Sequence, residues 1–101
     1  MKKGLHASLS LPKELLDLFI DNNEKIEEHM HKYSTNIYYE IYLGEMMGEE
    51  FCGIDLEVKG KTYKEVENDY KHIRVFLNEI AKQKTRQVIL YKFQEGWYKW
   101  N

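Results

Sequence analysis

Residues 36–58 read NIYYEIYLGEMMGEEFCGIDLEV, and this stretch decides the fold. Apolar and polar residues alternate along both of its halves, which is the pattern of β-strands that bury one face. The two strands run over residues 36–43 and 51–58, and the Gly-containing link of residues 44–50 is predicted to be a loop. Together they predict a β-hairpin. The residues expected to point inward are Ile37, Tyr39, Ile41, Leu43, Cys52, Ile54, Leu56 and Val58.

The segment before the hairpin predicts a strand followed by a helix. Residues 5–11 alternate apolar and polar side chains in the same way. Pro12 suits the first position of a helix, where the missing N–H is not needed. Apolar residues then recur at helical spacing from Leu15 to Tyr33. Because Asn22 and Asn23 interrupt that stripe, a kink or a helix restart is expected there.

The segment after the hairpin predicts a second helix and a final strand. Thr62 and Glu65 have the spacing of a capping box, so a helix is expected to begin at Thr62. Its buried stripe is predicted to be Val66, Tyr70, Ile73, Leu77 and Ile80. Residues 87–93 are rich in β-branched and aromatic side chains and predict a strand. The Glu95-Gly96 dipeptide predicts a turn, and residues 97–100 a short strand or a tail lying on the domain.

The order β-α-β-β-α-β(-β) predicts an α+β fold, a ferredoxin-like sandwich with an antiparallel sheet and two helices on one face. The 101 residues fit a single domain, 1–101. The opposite face of the sheet is expected to be open and rich in tyrosine and polar side chains. Its residues are His6, Ser8, Ser10, Tyr38, Glu40, Tyr42, Phe51, Asp55 and Glu57.

The composition limits the classes of protein to which this chain can belong. The chain has a single cysteine, Cys52, so it cannot form an intramolecular disulfide, and no apolar run approaches the 18 residues of a membrane span. Residues 5–11 alternate instead of forming the continuous apolar core of a signal peptide. We therefore expect a cytoplasmic protein without a membrane association. Its richness in Lys, Glu, Asn, Ile and Tyr is typical of AT-rich bacterial or phage genomes.

Charge is distributed unevenly along the chain, although the formal net charge is only −2. Residues 1–13 carry three Lys and no acid, residues 14–69 have a balance of −10, and residues 70–101 have a balance of +5. Such a dipolar distribution favours binding by electrostatic steering and complementarity over catalysis.

No catalytic or cofactor motif stands out. Gly60-Lys61-Thr62 resembles the end of a phosphate-binding loop, but position 55, which needs a second glycine, is Asp55. Glu65, Asp69 and His72 share one helix face, yet three ligands on one exposed face bind a metal weakly. Cys52 is expected to be a buried structural thiol. The sequence predicts a non-enzymatic protein without a cofactor or metal.

The function predicted first is protein binding, in the manner of a small inhibitor, immunity, anti-defence or regulatory protein. Acidic residues and soft methionines share the link of the hairpin, a composition suited to docking on a basic surface of another protein. The predicted partner-binding residues are Glu45, Met46, Met47, Glu49 and Glu50, with Tyr38, Tyr42, Asp55 and Glu57 of the open face.

The alternative is binding of a nucleotide or single-stranded nucleic acid by the basic, aromatic C-terminal third. Cationic side chains bind phosphates, and aromatic rings stack on bases. The residues predicted for it are Arg74, Arg86, Lys92, Trp97 and Trp100. A third alternative is a homodimer formed through the tyrosine-rich open face.

Overall fold

A computed structural model describes residues 2–33, 36–84 and 91–100 of the chain. These residues form an α+β fold with one four-stranded antiparallel sheet and three α-helices. The strands are β1 (Lys2–Pro12), β2 (Ile37–Met46), β3 (Glu49–Gly60) and β4 (Tyr91–Trp100). The helices are α1 (Leu16–Asp21), preceded by a 3-10 turn at Lys13–Leu15, α2 (Asn23–Tyr33) and α3 (Tyr63–Ala81).

The strands lie in the order β2-β3-β1-β4, and each neighbouring pair is antiparallel. Strands β1 and β3 are therefore central, and β2 and β4 are the two edges. The pairing of β2 with β3 keeps one register from Ile37↔Val58 to Met46↔Glu49. The pairing of β1 with β4 shifts register between Ser8 and Leu9, which marks a β-bulge.

The core lies between the sheet and the helices, which cover one face of the sheet, here called the helix face. The strand alternation and the α3 stripe predicted from sequence are confirmed. Leu43 is an exception, because it points to the helix face opposite Cys52 yet is 49% exposed near the end of the edge strand β2. The buried residues are Leu5, Ala7, Leu9, Leu11, Leu15, Phe19, Ile26, Met30, Cys52, Ile54, Leu56, Val58, Val66, Tyr70, Ile73, Leu77, Ile80 and Ala81.

The helical region before the hairpin is divided where the sequence predicted an interruption. Helix α1 ends at Asp21, and its C-cap Asn22 donates from the side-chain amide to Leu18 O at 2.8 Å. An amide that bonds the preceding turn competes with the helical backbone, which ends the helix locally. Pro12 is the last residue of β1 and the N-cap of the 3-10 turn, one position earlier than predicted.

Thr62 caps α3 as predicted. Its Oγ1 accepts a hydrogen bond from Glu65 N–H at 3.2 Å, and Glu65 Oε2 accepts one from Lys61 N–H at 3.0 Å. In the usual capping box the glutamate accepts from the N–H of the N-cap residue itself, whereas Glu65 accepts from Lys61, one residue earlier. The helix ends at Ala81, close to the predicted end.

Two sequence predictions of irregular structure are wrong. Residues 44–50 are not a loop, because β2 continues to Met46 and β3 begins at Glu49, which leaves a two-residue turn. Glu95-Gly96 is not a turn either, because β4 runs from Tyr91 to Trp100 and residues 94–100 pair with β1 in one register, Glu95 with Ala7 and Gly96 with His6. A fifth strand is therefore absent from the described C-terminal segment. The first part of the predicted strand, residues 87–90, lies outside the described residues.

Candidate functional site

The open face of the sheet is organised by aromatic rings that lie over glycines. Tyr42 covers Gly53 and Phe51 covers Gly44, and both are pairs directly opposite each other across β2 and β3. A Cβ atom on either glycine would overlap the ring of its partner. The rings of Tyr42 and Phe51 meet edge to face at 6.2 Å between centroids. Tyr98 covers Gly4 in the same way across β4 and β1.

Two carboxylates of this face, predicted to contact a partner, are held by hydrogen bonds within the domain. Asp55 Oδ1 accepts from Ser8 Oγ at 2.8 Å and from the Tyr42 hydroxyl at 3.4 Å. Burial, together with Asp55, raises the pKa of Tyr42. The surface formed by Asp55 and Tyr42 is consequently a fixed polar network rather than a free acidic patch.

Glu57 is engaged from two sides. The Tyr98 hydroxyl donates to Glu57 Oε1, and Lys59 Nζ lies 3.4 Å from the same oxygen. The hydrogen bond from Tyr98 is the main reason that the pKa of Glu57 is lowered, and Lys59 acts in the same direction. Burial and Glu57 together raise the pKa of Tyr98. Tyr38, opposite Glu57 on β2, is 62% exposed and is the most accessible tyrosine of the predicted set.

The hairpin end, residues 45–50, projects as a tight turn. Met47 has φ 52° and Gly48 has φ 83°, so both central residues are in the left-handed region that a type I′ turn requires. Asn-Gly is the usual pair there, and Met is an unusual choice. The Met47 side chain is 98% exposed and that of Met46 is 44% exposed.

The three glutamates of the hairpin end do not form one surface. Glu45 lies directly opposite Glu50 on the helix-face side, whereas Glu49 lies opposite Met46 on the open-face side. Glu50 Oε1 is 2.8 Å from Lys13 Nζ, and this bond raises the pKa of Lys13. Lys13 therefore partly neutralises Glu50, whereas Glu45 and Glu49 form no ion pair within the described residues.

A cleft of about 400 Å³ lies beside the turn. Its volume is within the range of small-ligand sites, but its walls are methionine, glutamate and one aromatic ring. This composition suits an apolar side chain carried by a basic partner. The lining residues are Ser10, Met46, Met47, Glu49, Glu50 and Phe51.

Of the residues predicted for nucleic-acid binding, Arg74 and Trp97 are the two whose side chains the structure describes, and they are not brought together. Arg74 lies on α3 with its guanidinium carbon 5.6 Å from the ring centroid of the buried Tyr70. Trp97, 43% exposed on β4, meets Tyr63 at the start of α3. Arg74 lies three helical turns beyond Tyr63 on α3, so about 16 Å separates Arg74 from the Tyr63–Trp97 pair. Arg86 lies outside the described residues, and Lys92 and Trp100 are placed only by backbone pairing with Leu9 and Lys2.

Trp97 instead belongs to a small basic and aromatic cluster that sequence reasoning missed. Its ring lies 4.9 Å from that of Tyr63 at an interplanar angle of 64°. Lys3 Nζ lies 4.6 Å from the Tyr63 centroid, and Lys99 is the direct strand partner of Lys3. The cluster lies at the opposite end of the sheet from Met47.

Side chains that could take part in catalysis or bind a metal do not come together elsewhere in the described residues. Cys52 is fully buried, and burial raises the pKa of its thiol to about 11. His29 stacks on Phe76 with centroids 3.8 Å apart, and burial lowers its pKa. No group of three or more metal-ligating side chains comes together in residues 2–33, 36–84 and 91–100.

Comparisons with known proteins bear on the fold alone. No protein-family model matches the chain, and no curated protein is similar to it in sequence. Among solved structures, the chain is similar to the de novo designed protein Foldit4, with a TM-score of 0.59 and 8% sequence identity over 100% of both chains. None of the helices in the described parts of the chain is both long enough and apolar enough to cross a bilayer.

Proposed function

We propose that this chain is a small, non-enzymatic protein-binding module that docks its hairpin end on a basic surface of a partner protein. The observation that carries the proposal is Met47, whose side chain is 98% exposed on a backbone with φ 52°. A non-glycine residue in that conformation is strained, and a large apolar side chain gains nothing from full exposure to water. Strain of this kind is concentrated at functional sites.

The surroundings of Met47 favour a basic partner. Met46, 44% exposed, and the cleft beside the turn extend the apolar surface. Glu45 and Glu49 border it, and Glu50 remains exposed beside Lys13. An apolar centre with a charged rim is the usual anatomy of a protein interface, and the rim chiefly sets the association rate.

The open face contributes to the proposed surface through Tyr38 rather than through Asp55 and Glu57. One oxygen of each carboxylate is engaged inside the domain, Asp55 Oδ1 by Ser8 and Tyr42 and Glu57 Oε1 by Tyr98 and Lys59. Tyr38 is exposed but lies eight residues from Met46 on β2, about 26 Å along the strand, so it would contact the partner at the far end of β2. We therefore assign Asp55 and Glu57 a positioning role beneath the contact surface.

For the fold we infer a ferredoxin-like sandwich, supported by the β-α-β-β-α-β order and by helices on one face of an antiparallel sheet. For the biological setting we infer a cytoplasmic inhibitor or regulator of bacterial or phage origin. The single cysteine suits a reducing compartment, and the composition suits an AT-rich genome.

The test begins with a partner captured from bacterial lysate after nuclease treatment, followed by stopped-flow association of the two purified proteins. The double variant Glu49→Lys/Glu50→Lys should slow association and reduce its salt dependence. The control is Glu67→Lys/Glu79→Lys, which changes net charge equally on the exposed side of α3. Equal association rates for both double variants would contradict the proposal.

A second candidate is binding of a nucleotide or single-stranded nucleic acid, favoured by the Tyr63–Trp97 pair with Lys3 and Lys99 at the basic end. Stacking on such rings would quench tryptophan fluorescence, and salt would weaken binding of a polymer. Titration with oligothymidylate and with ATP at low salt tests this. Quenching that Trp97→Leu abolishes would support it, and unchanged emission would remove it.

A further inference from the structure

Strand β2 forms one edge of the sheet, and its hydrogen bonds to β3 show which of its backbone groups are left unpaired. Lys59 N–H donates to Asn36 O at 3.1 Å, in the register that continues along β2 and β3. In an antiparallel pair, hydrogen-bonded and non-hydrogen-bonded residues alternate. The even-numbered residues of β2 therefore bond to β3. The N–H and C=O groups of Ile37, Tyr39, Ile41 and Leu43 point away from the sheet.

This edge lacks the bulge, proline and lysine that often prevent strand addition, and its charged residues, Glu40 and Glu45, would attract a basic strand. It extends without a register shift from Ile37 to Met46 and contains no Pro or Lys. Proteins commonly protect an edge by a bulge, a proline or a lysine. The opposite edge, β4, has the register shift at Ser8/Leu9 and carries Lys99. The unprotected edge is therefore β2.

A cavity, here called the groove, lies at the start of β2, where helix α2 approaches the strand. The groove has a volume of about 180 Å³ and is bordered by residues of both faces of the strand, Tyr38 on one side and Ile37 and Tyr39 on the other. A cavity that reaches both faces lies at the strand's edge. From α2 it is lined by Glu27, Met30 and His31.

The rim of the groove is acidic. The adjoining surface of α2 is an open depression formed by Glu24, Glu27, Glu28, His31 and Lys32. Glu40 and Glu45 are exposed along β2 itself. Within the described part of the chain, none of these five glutamates forms an ion pair.

We propose that β2 accepts an extended, basic segment of the partner protein as a fifth strand, whose side chains on one face enter the groove between β2 and α2. Strand addition of this kind obtains affinity from main-chain hydrogen bonds and specificity from pockets for alternate side chains. A second copy of β2 is a poor occupant, because it would bring Glu40 and Glu45 of both copies to the same acidic edge. The inference rests on the proposed protein-binding function and names the partner's binding mode.

The probe is a fluorescein-labelled twelve-residue peptide of alternating Lys and Val, followed by fluorescence anisotropy. Leu43→Pro removes one outward N–H from an exposed position, and Leu43→Ala is its matched control, which loses the side chain but keeps the N–H. We expect Leu43→Pro to weaken binding about tenfold relative to Leu43→Ala. Glu27→Lys/Glu28→Lys should weaken binding and flatten its salt dependence, while Glu67→Lys/Glu79→Lys should not.

A second measurement leaves the protein unchanged. The same peptide, N-methylated at alternate residues, cannot donate hydrogen bonds along one edge and should bind at least tenfold more weakly. In hydrogen exchange, the parent peptide should protect the amides of Tyr39, Ile41 and Leu43, which are otherwise open to water. Equal binding of the parent and N-methylated peptides, or of Leu43→Pro and Leu43→Ala, would overturn strand addition.

Three further outcomes test this inference alongside the proposed function. A dimer in sedimentation equilibrium without peptide, disrupted by Leu43→Pro, would make a second copy the occupant and overturn the basic segment. If Glu49→Lys/Glu50→Lys slows partner association but Leu43→Pro has no effect, docking at the hairpin end stands and strand addition fails. If neither variant affects partner association, both proposals fail.

Discussion

The ring of Tyr42 lies over Gly53, its direct partner across β2 and β3, in the space that a Cβ atom would occupy. The same arrangement joins Phe51 to Gly44 and Tyr98 to Gly4. Rings that lie flat on glycines bring the Tyr42 and Tyr98 hydroxyls to Asp55 and Glu57. The glycines of the open face thus determine how its carboxylates are held.

Gly53→Ala should displace the Tyr42 ring and lower the free energy of unfolding by about 1–3 kcal/mol, the usual cost of overpacking. Gly96→Ala is the control, because nothing lies within 4 Å of a Cβ built at that position on the open face. Urea unfolding followed by circular dichroism measures both. A Gly53→Ala protein as stable as the Gly96→Ala protein would mean that the ring does not occupy this space.

Met47→Asn should stabilise the domain by about 0.5–1 kcal/mol, since Asn tolerates the left-handed conformation that Met47 adopts and forms the preferred Asn-Gly pair. Gly48→Ala, at φ 83°, should have the opposite effect and destabilise by about 1 kcal/mol. Thermal melts of the two variants test the turn.

The same Met47→Asn substitution separates stability from function. If Met47 is a contact residue, the stabilised variant should dissociate faster from the captured partner, because it lacks an apolar anchor. Met46→Asn is the control. Met46 has no positive φ, so this substitution removes a methionine without relieving backbone strain. A variant that is more stable and binds equally well would remove Met47 from the proposed surface.

Stability should depend on pH through Glu57, whose pKa in the folded protein lies below its ordinary value of 4.5. A lowered carboxyl pKa means that the folded state favours the charged form, so the stabilisation is present above pH 4.5 and is lost as pH falls through the folded pKa. Glu57→Gln should therefore reduce stability at pH 7 more than at pH 3. Denaturant midpoints at the two pH values provide the measurement.

Cys52 should react with a thiol reagent only when the domain opens. Its side chain is fully buried and burial raises its pKa to about 11, so both access and thiolate fraction are low at pH 7. Labelling by dithionitrobenzoate should be slow in buffer and accelerate with urea in parallel with unfolding. Rapid labelling of the folded protein would show that Cys52 is accessible.

The parts of the fold that follow from local patterns were predictable from the sequence. Alternation identified the inward residues of β1 and β3, and helical spacing with Thr62 and Glu65 identified α3. These features depend on periodicity and capping, which are properties of a short stretch of chain. The restart after Asn22 was predictable for the same reason.

The turn was missed because Met47-Gly48 lacks the Asn-Gly signal, so the whole of residues 44–50 resembled a loop. With the turn placed at 47–48, the register follows, and Gly44 falls opposite Phe51 and Gly53 opposite Tyr42. These pairs of a glycine with an aromatic residue were present in the sequence. The pairing of Lys13 with Glu50 and of Tyr63 with Trp97 was not, because it depends on how distant elements pack.

The placement of β1 between β3 and β4 has a consequence for how the chain folds during synthesis. Strand β1 is made first, yet one of its two partners is β4, about ninety residues later in the chain. Until β4 leaves the ribosome, the edge of β1 that pairs with β4, residues Lys2–Ser10, has no hydrogen-bonding partner. The leucines of β1 that belong to the core are then only partly covered. A nascent chain that stalls before β4 would expose a strand edge prone to aggregation, so a holding chaperone should bind it more strongly than the finished domain.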